Sequence, residues 1–94
     1  MAIESRGSVP GMTGEQYDGT IQQLREQLQA APGFIAHIGV VTEAGVEVTE
    51  VWESPEQARA WIDHTVAPML RAAGAPVPTP DIRPVHTLLL ASQR

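Results

Sequence analysis

Apolar residues recur along the chain at two spacings, and these spacings predict the order β-α-β-β-α-β. Residues 13–31 and 54–74 repeat apolar residues every three or four positions, which is typical of a helix with one buried face. Four other stretches either alternate apolar with polar residues or are rich in Val, Ile and Leu, which is typical of strands. They are residues 1–9, two runs on either side of a turn at residues 43–45, and residues 85–91. We therefore predict two helices and four strands.

Capping residues mark the start of both predicted helices. Thr13 stands three residues before Gln16, and Ser54 stands three residues before Gln57. Each pair therefore has the spacing of a capping box. Pro68 lies inside the second helix and has no N–H to donate to the preceding turn. We therefore expect the second helix to kink or restart there. The proline-rich segment 75–84 is predicted to be an extended connector to the final strand.

The strand before the predicted turn lies in the stretch GFIAHIGVV and is apolar on both faces. Its two alternating sets are Phe34, Ala36, Ile38 and Val40, and Ile35, His37, Gly39 and Val41. A strand of this kind is covered on both sides. The order of elements predicts an α+β, ferredoxin-like fold in which two helices cover one face of an antiparallel sheet. We therefore expect a second copy of the chain to cover the other face in a homodimer.

Length and charge limit the classes of function. The chain has 94 residues, which predicts a single domain over residues 1–94 with a small core. It has no cysteine, which excludes disulfides and thiolate metal sites. A net charge of −5 without a basic run argues against nucleic acid as a partner. Because no apolar run reaches the roughly 20 residues of a membrane span and no signal-peptide pattern is present, we expect a cytoplasmic protein without a membrane partner.

Three stretches of the sequence resemble one group of proteins. They are VPGMTGEQYDGTIQQL, VTEVWESPEQARAWIDHTVAPMLRAAG and PVHTLLL. The sequence is similar to small actinobacterial proteins of the dimeric α/β-barrel superfamily, close to the antibiotic biosynthesis monooxygenase group. The resemblance implies two sheets packed back to back in a dimer, with a pocket in each subunit between its sheet and its own helices.

The resemblance also implies a range of activities. The superfamily includes cofactor-independent monooxygenases, cyclases and isomerases of aromatic polyketides, dechlorinating and haem-degrading enzymes, and members with no known reaction. Their ligand-binding side chains come from the hairpin and the helix after it, which implies a binding role for Trp52 in the VWES stretch. The similar monooxygenases often place a polar residue four positions before this tryptophan, whereas this chain has Val48. His37 and Glu50 are then the polar candidates on the hairpin.

The histidines are candidates for acid-base chemistry, because a neutral imidazole accepts a proton near pH 7. His37 lies in the apolar hairpin strand and His86 lies in the predicted final strand, and we assign both as candidate catalytic residues. Each has an alternative interpretation as a core histidine that is paired with a neighbouring group. His64 lies off the apolar stripe of the second helix and is predicted to be a solvated surface residue.

Four other residues are candidates for substrate binding. Glu50 shares a strand face with Trp52 and has an alternative role in a structural ion pair. The arginines available for that pair are Arg83 and Arg6. Trp52 and Trp61 lie on either side of the junction between the hairpin and the second helix, where their rings either present a flat wall to a planar ligand or fill the core. Tyr17, near the start of the first helix, is a candidate to close the pocket mouth with its hydroxyl, and its alternative interpretation is an ordinary half-exposed helix tyrosine.

The sequence contains no spacing typical of a metal or nucleotide site. Its histidines lie far apart, and there is no glycine-rich phosphate-binding loop, so we expect neither a metal nor a cofactor. Our hypothesis is a cofactor-independent enzyme of secondary metabolism that removes a proton from a hydrophobic aromatic or polyketide-like molecule and then oxygenates it. The alternatives are a polyketide cyclase or isomerase of the same fold, and a non-catalytic dimeric small-molecule-binding protein.

Overall fold

A computed structural model describes residues 1–92 and has the predicted α+β architecture. Its elements are β1 (Ile3–Pro10), α1 (Gly14–Ala30), β2 (Phe34–Thr42), β3 (Gly45–Trp52), α2 (Pro55–Trp61), a π-helical turn (Ile62–Val66), α3 (Ala67–Ala72) and β4 (Asp81–Pro84). The strands form one antiparallel sheet in the order β2-β3-β1-β4. The ferredoxin-like fold is therefore confirmed.

Both helix starts have their predicted capping residues, but one of the two capping boxes differs from the expectation. Thr13 Oγ1 accepts from the Gln16 N–H and the Gln16 side chain accepts from the Thr13 N–H, which is a complete capping box. At α2, Ser54 Oγ accepts from the Gln57 N–H but donates to Gln57 Oε1. The Gln57 side chain therefore binds the Ser54 hydroxyl rather than the Ser54 N–H.

The second helix restarts near Pro68, as predicted. The π-helical turn directly precedes α3, in which Pro68 is one of the first helical residues. The missing Pro68 N–H cannot bond to the turn before it, and the wider turn accommodates that loss. The buried residues of the restarted helix are Ala67 and Leu70.

The final strand is not where the sequence pattern placed it. Residues 81–84 of the predicted connector form β4, whereas residues 85–92 lie outside any strand, and Leu89 is 88% exposed. β4 lies at the edge of the sheet, where a proline such as Pro84 costs no internal hydrogen bond. The run of leucines predicted a strand because of its hydrophobicity alone, and no other part of residues 1–92 buries it.

A bulge in β2 changes which residues share a face. The register shifts between Phe34 and Ala36, so Phe34 pairs with Trp52 while His37 pairs with Glu50. Phe34 and His37 therefore both face the helices, although strict alternation predicted opposite faces. Phe34 packs edge-on against Trp52, with the ring centroids 5.4 Å apart. This contact joins the start of the hairpin to the core, whose buried members are Ile3, Leu28, Trp52, Ala58 and Trp61.

The sheet face away from the helices carries exposed apolar side chains. Ile38 and Val40 are 55% and 50% exposed and alternate with residues that face the helices. On the same face, toward the β4 edge of the sheet, Glu4 on β1 forms an ion pair with Arg83 on β4. None of the helices within residues 1–92 is long and apolar enough to span a membrane.

Candidate small-molecule site

A cavity of about 120 Å³ lies between the sheet and the helices. This space is somewhat smaller than an engineered apolar cavity of roughly 150 Å³ that holds a benzene molecule. Most of its lining is apolar and comes from both helical segments, including Ile21, Leu24, Ile62, Val66 and Met69. Three polar lining residues form a chain of hydrogen bonds from Tyr17 through His37 to Glu50. The cavity therefore combines an apolar wall with one polar cluster.

Glu50 fixes the orientation of the His37 ring. The two residues face each other across β2 and β3, and His37 Nδ1 lies 2.7 Å from Glu50 Oε2. The other carboxylate oxygen, Oε1, accepts from Trp52 Nε1–H at 3.0 Å. An ionised carboxylate only accepts hydrogen bonds, so the pair requires a proton on His37 Nδ1. The lone pair of the neutral ring is then at Nε2.

Tyr17 occupies the side of His37 that carries this lone pair. Its hydroxyl oxygen lies 2.6 Å from His37 Nε2, and the two rings are nearly parallel with their centroids 6.0 Å apart. The Tyr17 N–H bonds to the Thr13 carbonyl, so the first turn of α1 sets the position of the phenol. Burial raises the pKa of Tyr17, and the charges of Glu50 and Asp18 raise it further.

Gly39 gives the Tyr17 phenol room to reach His37. A Cβ atom built on Gly39 would overlap the Tyr17 hydroxyl and the ring carbon that bears it. Gly39 lies two residues after His37 on the same face of β2. The absence of a side chain at this position is therefore part of the site.

The other candidate residues lie at different distances from this cluster. Trp61 lines the cavity, whereas Trp52 is 1% exposed and packs in the core behind it, and its indole N–H anchors Glu50. The expected burial of His86 in a final strand is wrong, because His86 is exposed in the segment after β4 and does not line the cavity. His64 is exposed, as predicted.

The prediction that Glu50 pairs with Arg83 or Arg6 is also wrong. Arg83 pairs with Glu4, and Arg6 lies opposite Asp81, on the face away from the helices. Glu50 instead binds His37, which is the kind of pairing that the alternative interpretation of His37 required. The sequence contains a signal for this pairing. A two-residue turn directly before Gly45 pairs Thr42 with Gly45. Five residues further along each strand, the same register pairs His37 with Glu50.

Within residues 1–92 no group of three or more His, Cys, Asp or Glu side chains lies close enough to hold a metal ion. The pairing of His37 with Glu50 thus provides two potential ligands and no third.

Solved structures share the fold over nearly the whole chain. A Chloroflexus aurantiacus protein, provisionally described as an antibiotic biosynthesis monooxygenase, superposes with a TM-score of 0.62 and 22% identity, over 97% of this chain and 100% of its own. This chain has the fold of the antibiotic biosynthesis monooxygenase-like proteins. All of the identities are below 25%, so the likeness establishes the fold and leaves the reaction open.

Two monooxygenase-like structures from Streptomyces extend this likeness. One is the Streptomyces coelicolor monooxygenase ActVA-Orf6 in complex with nanaomycin D, with a TM-score of 0.61 and 17% identity over 97% of this chain and 92% of that one. The other is SnoaB, a cofactor-independent oxygenase of Streptomyces nogalater, with a TM-score of 0.54 and 16% identity over 99% and 94%. The sequence matches no protein-family model, and a search of curated proteins finds no match.

Proposed function

We propose that this chain is a cofactor-independent monooxygenase that acts on a hydrophobic aromatic or polyketide-like molecule. The observation that carries the proposal is the His37 ring at the cavity wall, with Nδ1 held by the buried Glu50 carboxylate and the basic nitrogen turned to the opposite side. A base in this position removes a proton from a phenol or from the acidic carbon of an anthrone-type ring. Glu50 stabilises the imidazolium that forms.

The oxidation needs no electrons from the protein. The deprotonated substrate is a delocalised carbanion that transfers its electrons to O₂, and a bond forms between the ring carbon and one oxygen atom. The resulting hydroperoxide loses water to give a ketone, so that one CH₂ group and one O₂ molecule yield C=O and H₂O. The proton on His37 is returned to the departing oxygen. Similarity in fold to SnoaB, a cofactor-independent oxygenase, supports this class of reaction.

Anthrone is a direct test substrate, with O₂ uptake and anthraquinone formation as the two measurements. We expect His37→Gln to lower turnover by roughly 10²–10⁴-fold, because glutamine keeps a hydrogen-bonding side chain without a titratable nitrogen. His64→Gln is the matched control, because His64 is exposed and outside the cavity. Equal rates for wild type and His37→Gln, at equal stability, would exclude His37 as the base.

A non-catalytic binding protein is the second candidate, and one observation favours it. The polar atoms of the Tyr17, His37 and Glu50 cluster already satisfy one another, as they would in a purely structural network. This candidate predicts that aromatic molecules bind in the cavity without O₂ consumption, rearrangement or cyclisation. Product analysis of anthrone-type and polyketide substrates separates it from the monooxygenase and from a cyclase or isomerase.

A second copy of the chain is the partner that best fits the face away from the helices. Ile38 and Val40 are each about half exposed there, and the residues opposite them on β3 are Thr49 and Glu47. A monomer rarely leaves a continuous apolar patch of more than a few hundred Å² in water. A homodimer that packs these faces together buries the patch and leaves each cavity on the outer, helix-covered side.

A further inference from the structure

The lone pair of His37 is not free in this structure, and that constrains how a substrate delivers its proton. The Tyr17 hydroxyl lies 2.6 Å from Nε2, which is the distance of a short hydrogen bond. With Nδ1 donating to Glu50, Nε2 must be the acceptor and Tyr17 the donor. A substrate that bound His37 directly would have to displace the phenol.

We propose that Tyr17 relays the proton and that the site therefore takes a planar apolar molecule bearing a hydroxyl group, a phenol or an enol. This inference rests on the proposed role of His37 as the base. The substrate O–H donates to the Tyr17 oxygen while Tyr17 donates its own hydrogen to His37 Nε2. The substrate O–H bond and the Tyr17 O–H bond break, and new bonds form at the Tyr17 oxygen and at Nε2. The products are a substrate anion, a neutral Tyr17 and an imidazolium.

Tyr17 meets the requirements of a relay. A phenol oxygen donates one hydrogen bond and still accepts others, and Tyr17 is part of the cavity wall. The charged and titratable groups that act on it are His37 and Glu50 from the sheet and the charge of Asp18, the next residue of its own helix. Burial and the two carboxylates raise the pKa of Tyr17, so the phenol retains its proton at neutral pH.

Gly39 is the positioning residue for this relay. The Tyr17 hydroxyl lies over Gly39, where any larger residue would overlap it. Because the overlapping atoms belong to the end of a side chain, an added methyl group moves the phenol away from His37 rather than distorting the strand. Gly39→Ala therefore disrupts the hydrogen bond between Tyr17 and His37 without removing either residue.

The test compares 2-naphthol with naphthalene, two planar probes that differ by one hydroxyl. We expect wild type to bind 2-naphthol about tenfold more tightly, the effect of one hydrogen bond. We also expect wild type to lower the pKa of the bound naphthol. The neutral and anionic forms of naphthol have different absorption spectra, so absorbance measures this change. In Tyr17→Phe the ring still covers Nε2 but the relay oxygen is absent. Both the preference and the pKa change should disappear, with naphthalene affinity changed less than twofold.

Gly39→Ala should lose the 2-naphthol preference in the same way. Gly19→Ala is its matched control, because an added Cβ at Gly19 meets no atom within 4 Å. Gly19→Ala should retain both the preference and the lowered naphthol pKa. If Gly39→Ala also retains them, the positioning role of Gly39 is wrong.

The outcomes separate the relay from the proposed enzyme. If His37→Gln abolishes naphthol ionisation and Tyr17→Phe does not, His37 is the base and the relay is wrong. If both variants abolish it but wild type does not oxidise anthrone, the relay stands and the monooxygenase proposal fails. If wild type binds neither probe, both proposals fail.

Discussion

The two faces of the sheet differ in how their side chains are satisfied: one face pairs its polar groups by hydrogen bonds, and the other leaves apolar side chains exposed. On the face covered by the helices, Tyr17, His37, Glu50 and Trp52 form a continuous chain of hydrogen bonds. Across residues 1–92, every buried side-chain nitrogen and oxygen has a hydrogen-bond partner. On the opposite face, apolar side chains such as Ile38 are about half exposed.

This difference separates two environments along a single strand. Successive side chains of β2 point to opposite faces, so His37 and Ile38 are neighbours in sequence but lie in different environments. The covered face is internally satisfied and holds the cavity, whereas the open face carries the apolar surface that a partner would bury. We therefore expect substitutions on one face to leave the function of the other intact.

The largest expected effect comes from removing Trp52 from the covered face. Trp52→Ala should lower the free energy of unfolding by about 3–5 kcal/mol, because it empties a fully buried site. It also removes the N–H that binds Glu50. Urea denaturation measures the change, and Leu89→Ala, at an 88% exposed position, should stay within about 0.5 kcal/mol. A Trp52→Ala variant as stable as wild type would show that the indole is not a core residue.

The next largest effect tests the open face. Ile38→Lys should weaken dimerisation by about 2–3 kcal/mol, roughly 30- to 150-fold, because it places an unpaired charge in the proposed interface. Sedimentation at micromolar concentration should show wild type at twice the 10.1 kDa chain mass and the variant near that mass. Ala60→Lys, an exposed position on α2, should remain dimeric. Wild-type protein that sediments as a monomer would remove the dimer proposal.

Local patterns in the sequence predicted most of the fold. The capping box at Thr13 and the break before Gly33 define α1 within one or two residues, because both depend on neighbours in sequence. The final strand was misplaced because its position depends on pairing with β1, where residues 81–84 lie alongside the start of the chain. Hydrophobicity alone favoured residues 85–91 and carries no information about that pairing.

The sequence named six candidate site residues but not the contacts among them. His37, Glu50, Tyr17 and Trp61 line the cavity, whereas Trp52 and His86 do not, and the roles assigned to these residues stay predictions. The contact between Tyr17 and His37 joins α1 to β2 and depends on the space at Gly39, which only the packed structure shows. The pairing of His37 with Glu50 follows from the hairpin register. The predicted turn at residues 43–45 extends one residue too far, and this shifts the predicted register so that His37 no longer pairs with Glu50.

A smaller effect is expected at the start of α1, which positions the phenol on the covered face. Thr13→Ala should cost about 1 kcal/mol of stability, because it leaves the Gln16 N–H without its cap. Thr13→Ser keeps the hydroxyl and should cost less than half as much. Urea denaturation together with hydrogen exchange at the Gln16 amide measures both. A Gln16 amide that exchanges at the wild-type rate in Thr13→Ala would contradict the capping role.

The smallest effect is the alkaline pH dependence of stability, and it isolates one residue of the covered face. Tyr17 is the sole tyrosine and the chain has no lysine, so Tyr17 is the side chain expected to titrate between about pH 9 and 11. Burial raises its pKa in the folded state above the ordinary value of 10.0. Above that ordinary value the unfolded chain therefore releases its proton first. The stabilisation is complete below pH 10 and is lost as the pH rises through the folded-state pKa.

Tyr17→Phe has no titrating group in this range, so its urea midpoint should stay constant where that of wild type falls. Tyrosine absorbance of the folded protein follows the same ionisation directly and should show a midpoint above that of the chain in urea. Equal midpoints in the two states would mean that the phenol is solvated, in which case Tyr17 is not held against His37. The pH titration thus tests, without any ligand, the contact that makes the covered face different from the open one.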